Sequence, residues 1–328
     1  RVIGSIYEKV WTACATMNNR YDFSPSKTDV QVFWPKTLGW DHGGKWASQI
    51  RLALSHHAEV FDADIPQDEG TGILSHFTFR DGRDTDVFFD YSDYPTLNEK
   101  WVNAGIPYFK LQLPSGYTYP NNVMPGGYIV NDPVIYRLLP YLRSLRTKPE
   151  KFDVYGRFGK GFAFESRNRC MELLKASGHP MYGGFEFARY TKFLREAARA
   201  KVCIDLPGNG PLCFRFIDYL AMGCCVIAYP HQVEMPSPLI HGEHLLYMKP
   251  DMSDLPELVE FLLENPRLRR KLSDAAMQYF DENLRGKSLG RYFISGVKGT
   301  MIERNGLVSQ EKTNSDRKSY KIAVRAGG

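Results

Sequence analysis

The sequence lacks three features that would each point to a definite class of protein. No apolar run in its 328 residues approaches the length of about 18 or more that a membrane-spanning helix needs, so we expect no segment that crosses a bilayer. None of its six cysteines has the spacing of a metal-binding motif, and we expect buried free thiols in a reducing compartment such as the cytoplasm. No G-x-G-x-x-G turn follows a strand with an acidic residue about 20 positions further on, which argues against a Rossmann oxidoreductase.

Positive charge is concentrated at the C-terminal end. The chain has a formal net charge of +5, and its last 18 residues hold five lysines and arginines against two acidic residues. The rest of the chain is left near +2, without the clustered basic face that a nucleic-acid-binding domain needs. We therefore expect no stable nucleic-acid partner, while an enzyme steered to nucleic acid by this tail stays open as an alternative.

Strand and helix patterns alternate along the first half of the chain. Its short apolar runs are rich in aromatic and β-branched residues and are bounded by Gly, Pro or Asp, as strands usually are. The patterns predict strands at 28–34, 58–63, 86–91 and 107–113, a helix at 45–57, an irregular loop at 114–134 and a helix at 134–145.

The alternation restarts after the charged turn RTKPEK. Further strands are predicted at 151–156, 200–206, 224–229 and 245–249, with helices between them. Strands that alternate with helices of 10–15 residues, roughly, predict parallel sheets covered by helices. The sequence thus predicts an α/β protein with two Rossmann-like domains, at residues 1–148 and 149–305, and a basic tail at 306–328.

The strongest candidate site is the segment IDLPGNGPLCFRFIDYLAMGCCVIA, residues 204–228. Ligands of open parallel sheets bind beyond the carboxyl ends of the strands, and here a predicted strand runs into a Gly-rich turn and then a helix. The glycines allow close backbone approach, the helix N-terminus favours an anion, and an arginine in the first turn can bind phosphate in a bidentate manner. An aspartate one turn later can accept hydrogen bonds from ribose. The candidate ligand-binding residues are Gly208, Asn209, Gly210, Arg215 and Asp218.

This segment resembles the donor site of group-1 glycosyltransferases, and its arginine and small-residue turn are also similar to exostosin-like and CAP10-like sugar transferases. The similarity continues through HGEHLLYMKPDMSDLPELVEFLLENPRLRRKL, residues 241–272. The resemblance implies the GT-B architecture, in which two Rossmann-like domains face a cleft. It also implies that Asp218, which precedes L-A-M-G, binds the ribose of the donor. One departure is Gly210, a position that usually carries a glutamate in group-1 enzymes.

A second loop, YGRFGKGFAFESRNR at 155–169, follows the first predicted strand of the C-terminal domain. Arg157 and Lys160 alternate with glycines, and two such cations beside a flexible turn suit a diphosphate. The loop resembles the G-R…K-G segment of group-1 glycosyltransferases, which implies that both residues contact the donor. A solvated basic turn is the alternative.

A third loop lies in the N-terminal half, in WPKTLGWDHGGKWASQIRLA at 34–53. It resembles the opening of GT-B N-terminal domains, which implies that Gly43 and Gly44 face the cleft between the domains. Asp41 and His42 would then lie above the acceptor.

Catalytic candidates are the acidic and histidine residues at the ends of the N-terminal strands. An inverting enzyme needs a base that takes the proton from the acceptor hydroxyl, whereas a retaining enzyme demands no protein nucleophile, and the sequence leaves both outcomes open. The sequence leaves the choice open among Asp41, Asp90 and Asp93, with His42 as a further catalytic candidate and a role in a turn or cap as the alternative for each. Glu234, after the strand at 224–229, is a candidate for contact with the donor sugar.

The resemblance as a whole implies transfer of a sugar from a nucleoside-diphosphate donor to a glycan or lipid-linked acceptor, as in polysaccharide biosynthesis. No cofactor is expected, because the nucleotide-sugar is a substrate, and no metal, because cations and helix dipoles neutralise the diphosphate. We expect a cytoplasmic enzyme with peripheral membrane contact. The alternatives are a non-catalytic sugar- or nucleotide-binding module of a larger enzyme and a nucleic-acid-modifying GT-B enzyme.

Overall fold

The computed structural model describes residues 28–40 and 43–311, which form two α/β halves with one sheet each. The strands of the first half are β1 (Val30–Pro35), β2 (Glu59–Ala63), β3 (Gly72–Phe79), β4 (Asp84–Asp90), β5 (Tyr108–Lys110) and β6 (Val123–Pro125). Its helices are α1 (Gly44–Ser55), α2 (Glu99–Asn103) and α3 (Val134–Leu145).

The first sheet is mixed, with the strand order β2-β1-β3-β4-β5-β6. β1 is parallel to β2, and β4, β5 and β6 are parallel to one another, whereas β3 is antiparallel to both β1 and β4. The antiparallel pair arises because a tight turn around Gly82 joins β3 to β4, which leaves no room for the helical crossover that parallel strands need.

The second sheet is entirely parallel, in the order β11-β10-β9-β7-β8. Its strands are β7 (Phe152–Arg157), β8 (Tyr182–Gly184), β9 (Ala200–Asp205), β10 (Val226–Ala228) and β11 (Leu246–Tyr247). The helices that follow α3 are α4 (Phe164–Ala176), α5 (Tyr190–Ala197), α6 (Phe214–Met222), α7 (Leu255–Glu264), α8 (Pro266–Tyr279) and α9 (Gly286–Glu311). A π-helical turn, Phe280–Leu284, joins α8 to α9.

The core of the second half explains why its central strand is almost wholly apolar. Val202 and Ile204 of β9 pack into one hydrophobic cluster and Cys203 into another, so both faces of the strand are covered. Cys224 and Cys225 divide between the same two clusters, as side chains that point to opposite faces of a strand must. The cysteines among the described residues are free thiols.

The predicted α/β class of both halves is confirmed. Each predicted strand contains or overlaps an observed one, and the helix predicted at 134–145 coincides with α3. β3 and β8 were not predicted, and β6 lies inside the stretch interpreted as an irregular loop. The domain boundary near residue 148 stays a prediction, and it falls in the segment between α3 and β7.

The last described helix, α9, packs back onto the first half. Phe293 of α9 meets Phe89 and Phe109 edge-on, at ring-centroid distances of 5.1 and 5.0 Å. A Cβ on Gly290 would overlap the carbonyl oxygen of Ala53 in α1, so the two helices approach as closely as a glycine allows. Across the part of the chain that the structure describes, no helix is long and apolar enough to cross a membrane.

Candidate active site

The Gly-rich turn lies at the carboxyl end of β9, where a parallel sheet binds its ligands. The N–H of Gly208 donates to the carbonyl of Gly210 at 3.0 Å, and a Cβ on Gly208 would lie 2.8 Å from Sγ of Cys213. α6 then begins at Phe214, and no side chain of the described residues caps its N-terminus. An uncapped helix N-terminus offers N–H groups and a partial positive charge to an anion.

Arg215 donates hydrogen bonds to backbone carbonyls at the ends of β7 and β9, next to this turn. Its Nη2 donates to the carbonyl of Leu206 at 2.7 Å and its Nη1 to that of Arg157 at 3.1 Å. Its Nε donates to Oδ1 of Asp205 at 3.2 Å, and the guanidinium lies over the ring of Phe158 at 4.6 Å. Each of its three nitrogens is therefore bonded to protein, and the predicted phosphate contact, which would compete with these bonds, stays a prediction.

Arg167 links the two loops that were predicted to bind the donor. Its Nη1 donates to the carbonyl of Gly159 and its Nη2 to that of Pro207, both at 2.6 Å. The residue is buried, which is costly for a cation without partners. The arginine thus fixes the loop after β7 relative to the Gly-rich turn after β9.

Arg157, predicted to bind the diphosphate, lies in a buried ion pair. Its Nε donates to Oε2 of Glu196 at 2.8 Å, and its Nη1 donates to the carbonyl of Glu186 at 2.9 Å. The hydroxyl of Tyr155 donates to the same carboxylate at 3.1 Å. Nη2 is buried and has no hydrogen-bond partner among the described residues, and the predicted contact of Arg157 with the diphosphate stays a prediction.

Lys160 is exposed between two glycines whose Cβ positions face open space. Among the described residues, no carboxylate pairs with its ammonium group. Because a flexible ammonium group suits phosphate as a point charge, Lys160 is the predicted donor-binding cation that the structure leaves accessible.

Asp218 lies fully buried in α6 at the junction of the two halves. Its Oδ1 accepts a hydrogen bond from the backbone N–H of Asn131 at 3.0 Å, and its Oδ2 has no hydrogen-bond partner within the described residues. Burial raises the pKa of Asp218 to about 7, against the opposing effects of Asn131, Tyr190 and Lys45. The predicted ribose contact would require this junction to open, and it stays a prediction.

Lys45, in the first turn of α1, belongs to the same group of polar residues between the two halves as Asn131 and Asp218. Its Nζ donates to Oδ1 of Asn131 at 2.7 Å and lies 5.0 Å from the ring centroid of Phe214. Burial lowers the pKa of Lys45, and the charges of Asp132 and Asp218 oppose this effect. The two halves are therefore joined here by partly buried charges rather than by apolar contact alone.

Asp90, one of the predicted bases, is bonded on both carboxylate oxygens. Its Oδ2 accepts from the hydroxyl of Tyr108 at 2.5 Å. Its Oδ1 accepts from Nζ of Lys110 at 3.1 Å and from the backbone N–H of Ser92 at 2.8 Å. Asp90 and Lys110 are buried, so this ion pair anchors the turn after β4 and leaves Asp90 no exposed oxygen for a substrate.

Asp93, three positions further along this turn, reaches the second half of the molecule. Its Oδ2 accepts from the side-chain amide of Asn209 at 3.4 Å. Its Oδ1 accepts from Nε2 of Gln112 and from the hydroxyl of Tyr128, the latter at 3.4 Å. Oε1 of Gln112 in turn accepts from the backbone N–H of Leu212 at 3.0 Å. The structure thus brings together a predicted base and a predicted donor residue from opposite halves.

Gly43 and Gly44 lie at the start of α1, close to the junction. Gly43 is buried, and a Cβ on it would overlap the hydroxyl of Tyr91, whereas the same position on Gly44 faces open space. Trp46, in the first turn of α1, stacks on Tyr91 and packs against Phe214 of the second half, with centroids 6.0 and 5.4 Å apart. The Gly-Gly pair therefore adjoins the second half, although its contact with a ligand stays a prediction.

The remaining predicted site residues are Asp41, His42 and Glu234. Asp41 and His42 lie outside the residues that the structure describes. Glu234 is exposed, and its backbone N–H donates to the carbonyl of Leu113 at 2.7 Å. It therefore lies where a loop of the second half pairs with the first, and its contact with the donor sugar is untested.

Sequence reasoning missed three polar residues that organise this region, and it left Arg167 open between a solvent-facing or paired role and one in the site. Gln112, Asn131 and Glu196 are the partners or neighbours of predicted residues, and each makes contacts to segments far away in the chain. Only Gln112 gave a local signal, because it is a polar residue in the otherwise apolar end of the run PYFKLQL.

The described residues contain no ready-made metal site. Within 28–40 and 43–311, no group of three or more His, Cys, Asp and Glu side chains could hold a metal ion. His231 contacts Oδ2 of Asp205 and the hydroxyl of Tyr247, each at 3.2 Å. Metal independence of the activity remains a prediction.

Comparison with known proteins gives matches by structure. One solved structure is a glycosyltransferase from Rickettsia africae, 12% identical, with a TM-score of 0.42 over 89% of this chain and 80% of that one. Another is a sucrose-phosphate synthase from Thermosynechococcus elongatus, 16% identical, with a TM-score of 0.32; the match covers 52% of this chain and only 42% of that one. No protein-family model and no curated protein matches the chain. The predicted resemblance to glycosyltransferases is confirmed as a structural similarity, but TM-scores below 0.5 assign no activity.

Proposed function

We propose that the chain is a glycosyltransferase that moves a sugar from a nucleoside-diphosphate donor to a hydroxyl group of a glycan or lipid-linked acceptor. The observation that carries this proposal is the pairing of Asp93 in the first half with Asn209 in the Gly-rich turn of the second. Glycosyl transfer needs a base beside the attacking hydroxyl and hydrogen-bond donors beside the leaving phosphate. A carboxylate opposite an anion-binding turn supplies both.

Asp93 is the base in this proposal. Asp93 is only partly buried. Its hydrogen bond with Asn209 is long at 3.4 Å and therefore weak, so an acceptor hydroxyl can replace Asn209. Asp93 takes the proton of this hydroxyl while the oxygen attacks the anomeric carbon of the donor. The bond from that carbon to the diphosphate breaks, and the diphosphate leaves with the electron pair. A single displacement of this kind inverts the anomeric configuration.

The diphosphate is bound by the Gly-rich turn, the N-terminus of α6 and Lys160. The helix end supplies N–H groups and a favourable dipole, and the exposed ammonium group adds a full positive charge. With this charge compensation, the reaction needs neither a metal nor a cofactor. The acceptor reaches the cleft from the side of Gly43 and Gly44, and a lipid-linked acceptor implies peripheral contact with a membrane during glycan assembly.

Donor binding is tested by thermal-shift measurements on the full chain with UDP-, GDP- and TDP-sugars. A ligand that binds only the folded state raises the melting temperature according to its concentration over its Kd. We expect a shift with one nucleotide class, and release of that nucleotide in the presence of acceptor. The absence of a shift with all three classes would rule out the proposed donor site.

The role of Asp93 is tested with Asp93→Asn. Because a general base contributes about 100-fold or more, we expect kcat to fall by at least this factor while the donor-induced thermal shift persists. Asp84→Asn, an exposed carboxylate at the opposite end of β4, is the matched control and should keep wild-type turnover. Full activity in Asp93→Asn would exclude this base, and a wild type that binds donor without turnover would favour the non-catalytic module.

A further inference from the structure

Gln112 is buried between the two halves. It follows β5, has a relative exposure of 1%, and belongs to the first half by sequence. Both ends of its amide are used: Nε2 donates to Oδ1 of Asp93, and Oε1 accepts from the backbone N–H of Leu212 ahead of α6. An uncharged amide is suited to this position, because it donates to a carboxylate at one end and accepts from an N–H at the other.

The Gly-rich turn is shaped to admit this amide. A Cβ on Gly210 would overlap both Nε2 and Oε1 of Gln112, so any other residue at this position would displace the side chain. Gly210 is also where the resemblance to group-1 glycosyltransferases leads one to expect a glutamate. The structure gives a physical reason for its absence, since the space beside residue 210 is filled by an amide from the opposite half.

We infer that Gln112 is a positioning residue that holds Asp93 in register with the Gly-rich turn. This inference rests on the proposed function, in which Asp93 is the base and the turn binds the leaving diphosphate. One side chain then aligns the group that accepts the proton with the segment that receives the leaving group. Without it, Asp93 would keep, among the described residues, the two 3.4 Å contacts to Tyr128 and Asn209, and its carboxylate would sample other orientations.

A buried amide can also be only a structural link, and the chain contains a control for that case. Gln49 in α1 is buried to a similar degree, and its Nε2 donates to the carbonyl of Val130 at 3.1 Å. Among the described residues its amide hydrogen-bonds to the carbonyls of Val130 and Lys45, and to no residue assigned to the base or to the turn. Gln49→Met and Gln112→Met therefore both remove a buried amide, but only the second removes a contact to Asp93.

The first test compares kcat and KM in these two variants of the full chain. For Gln112→Met we expect kcat to fall roughly 10- to 100-fold, with the KM for the donor within about threefold of the wild type, because the turn itself is intact. Gln49→Met should lower the melting temperature and leave kcat unchanged. Equal kcat in the wild type and Gln112→Met, or equal losses in the two variants, would overturn the inference.

The second test uses the pH profile of kcat/KM, which a merely structural link would not move. Gln112→Glu preserves the shape but places a second carboxyl group against Asp93, and a neighbouring negative charge disfavours ionisation of the base. The acidic limb of the profile should therefore move to higher pH by about one unit. An unchanged limb in an active variant would contradict the inference.

A third variant covers the case in which Gln112→Met does not fold. Gly210→Ala leaves the amide in the chain and displaces it from its position, so it should reproduce the loss of kcat while donor-induced thermal stabilisation persists. If Gly210→Ala keeps wild-type kcat, the inference fails. If the wild type shows no donor-dependent turnover, the proposed function and this inference are refuted together. If turnover depends on Asp93 but not on Gln112 or Gly210, the inference alone is refuted.

Discussion

Burial raises the pKa of Asp218 to about 7 from an ordinary value of 3.8, and Lys45, Asp132 and Tyr190 are the ionisable groups that influence it. At a pH between these two pKa values, the unfolded chain has lost the proton of this carboxyl group while the folded chain retains it. The unfolded state then binds fewer protons, so the contribution of Asp218 to stability falls as the pH rises through this window. Below about pH 4 and well above pH 7 the contribution is constant.

Asp218→Asn should remove this pH dependence. The amide oxygen still accepts from the N–H of Asn131, and the group no longer titrates. The difference in free energy of unfolding, variant minus wild type, should therefore increase by a few kcal/mol between pH 4 and pH 7 and then level off. This is on the order expected from the pKa shift of Asp218. Urea unfolding at a series of pH values measures it. A difference that is constant from pH 4 to pH 8 would contradict the assigned pKa.

The sequence identified the segments of the candidate site better than the bonding of its side chains. Arg157 and Arg215 follow from local motifs, because a Gly-rich turn with a cation is visible within a few residues. Their actual partners, Glu196 and Asp205, are set by the tertiary fold. For the same reason the motif could not distinguish Asp90, which is sequestered by a buried lysine, from Asp93, which reaches the other half. A motif specifies residue types, whereas availability to a ligand depends on contacts between distant segments.

At the scale of elements, the strands that were not predicted are those with weak local signals. β3 does alternate, with Ile73, Ser75 and Phe77 facing inward, but its inward face includes a serine and the strand begins at a glycine. β6 and β8 have three residues each and lie among Pro and Gly, so their pairing depends on neighbouring strands rather than on their own composition. The helix α3 and the apolar central strands were predictable because their burial pattern shows in consecutive residues, whereas the longest helix, α9, was not predicted.

The close approach of α9 to α1 depends on Gly290, and Gly290→Ala tests it. The added methyl group overlaps the carbonyl oxygen of Ala53, so the helices must move apart, and we expect a loss of about 1–3 kcal/mol in the free energy of unfolding. Gly299→Ala in the same helix is the control, because its Cβ position is open and alanine favours helix by about 1 kcal/mol. Chemical denaturation of both variants gives the comparison. Equal stability of the two would mean that the α9–α1 contact is looser than described.

At the scale of the whole molecule, the two halves share one continuous hydrophobic cluster. It runs from the first sheet through Tyr128, Phe214 and Phe216 into the second sheet, and α9 adds to it from the C-terminal end. The sequence predicted two α/β units because each has its own alternation of strands and helices. It could not predict their common core, because the aromatic contacts across the junction join residues that lie far apart in the chain. We therefore expect the halves to unfold together rather than as independent domains.

Phe214→Ala tests this coupling with a reporter in the opposite half. Phe214 belongs to the second half and packs against Trp46 and Tyr128 of the first, with ring centroids 5.4 and 4.8 Å apart. All five tryptophans of the chain lie at or before Trp101, so tryptophan fluorescence reports on the N-terminal half and, through Trp46, on its junction with the second half. Far-UV circular dichroism reports on both halves.

If the halves unfold as one unit, the cavity left by Phe214→Ala lowers the denaturation midpoint equally in both signals, with a loss of about 2 kcal/mol or more. Phe261→Ala, which truncates a half-exposed phenylalanine in α7 away from the junction, should change the free energy of unfolding by less than about 0.5 kcal/mol. A fluorescence midpoint that stays at the wild-type value while the circular dichroism transition shifts or splits would show that the halves unfold separately. In that case the bonds of Asp93 and Gln112 across the cleft would not suffice to couple the halves, and closure would depend on the bound donor.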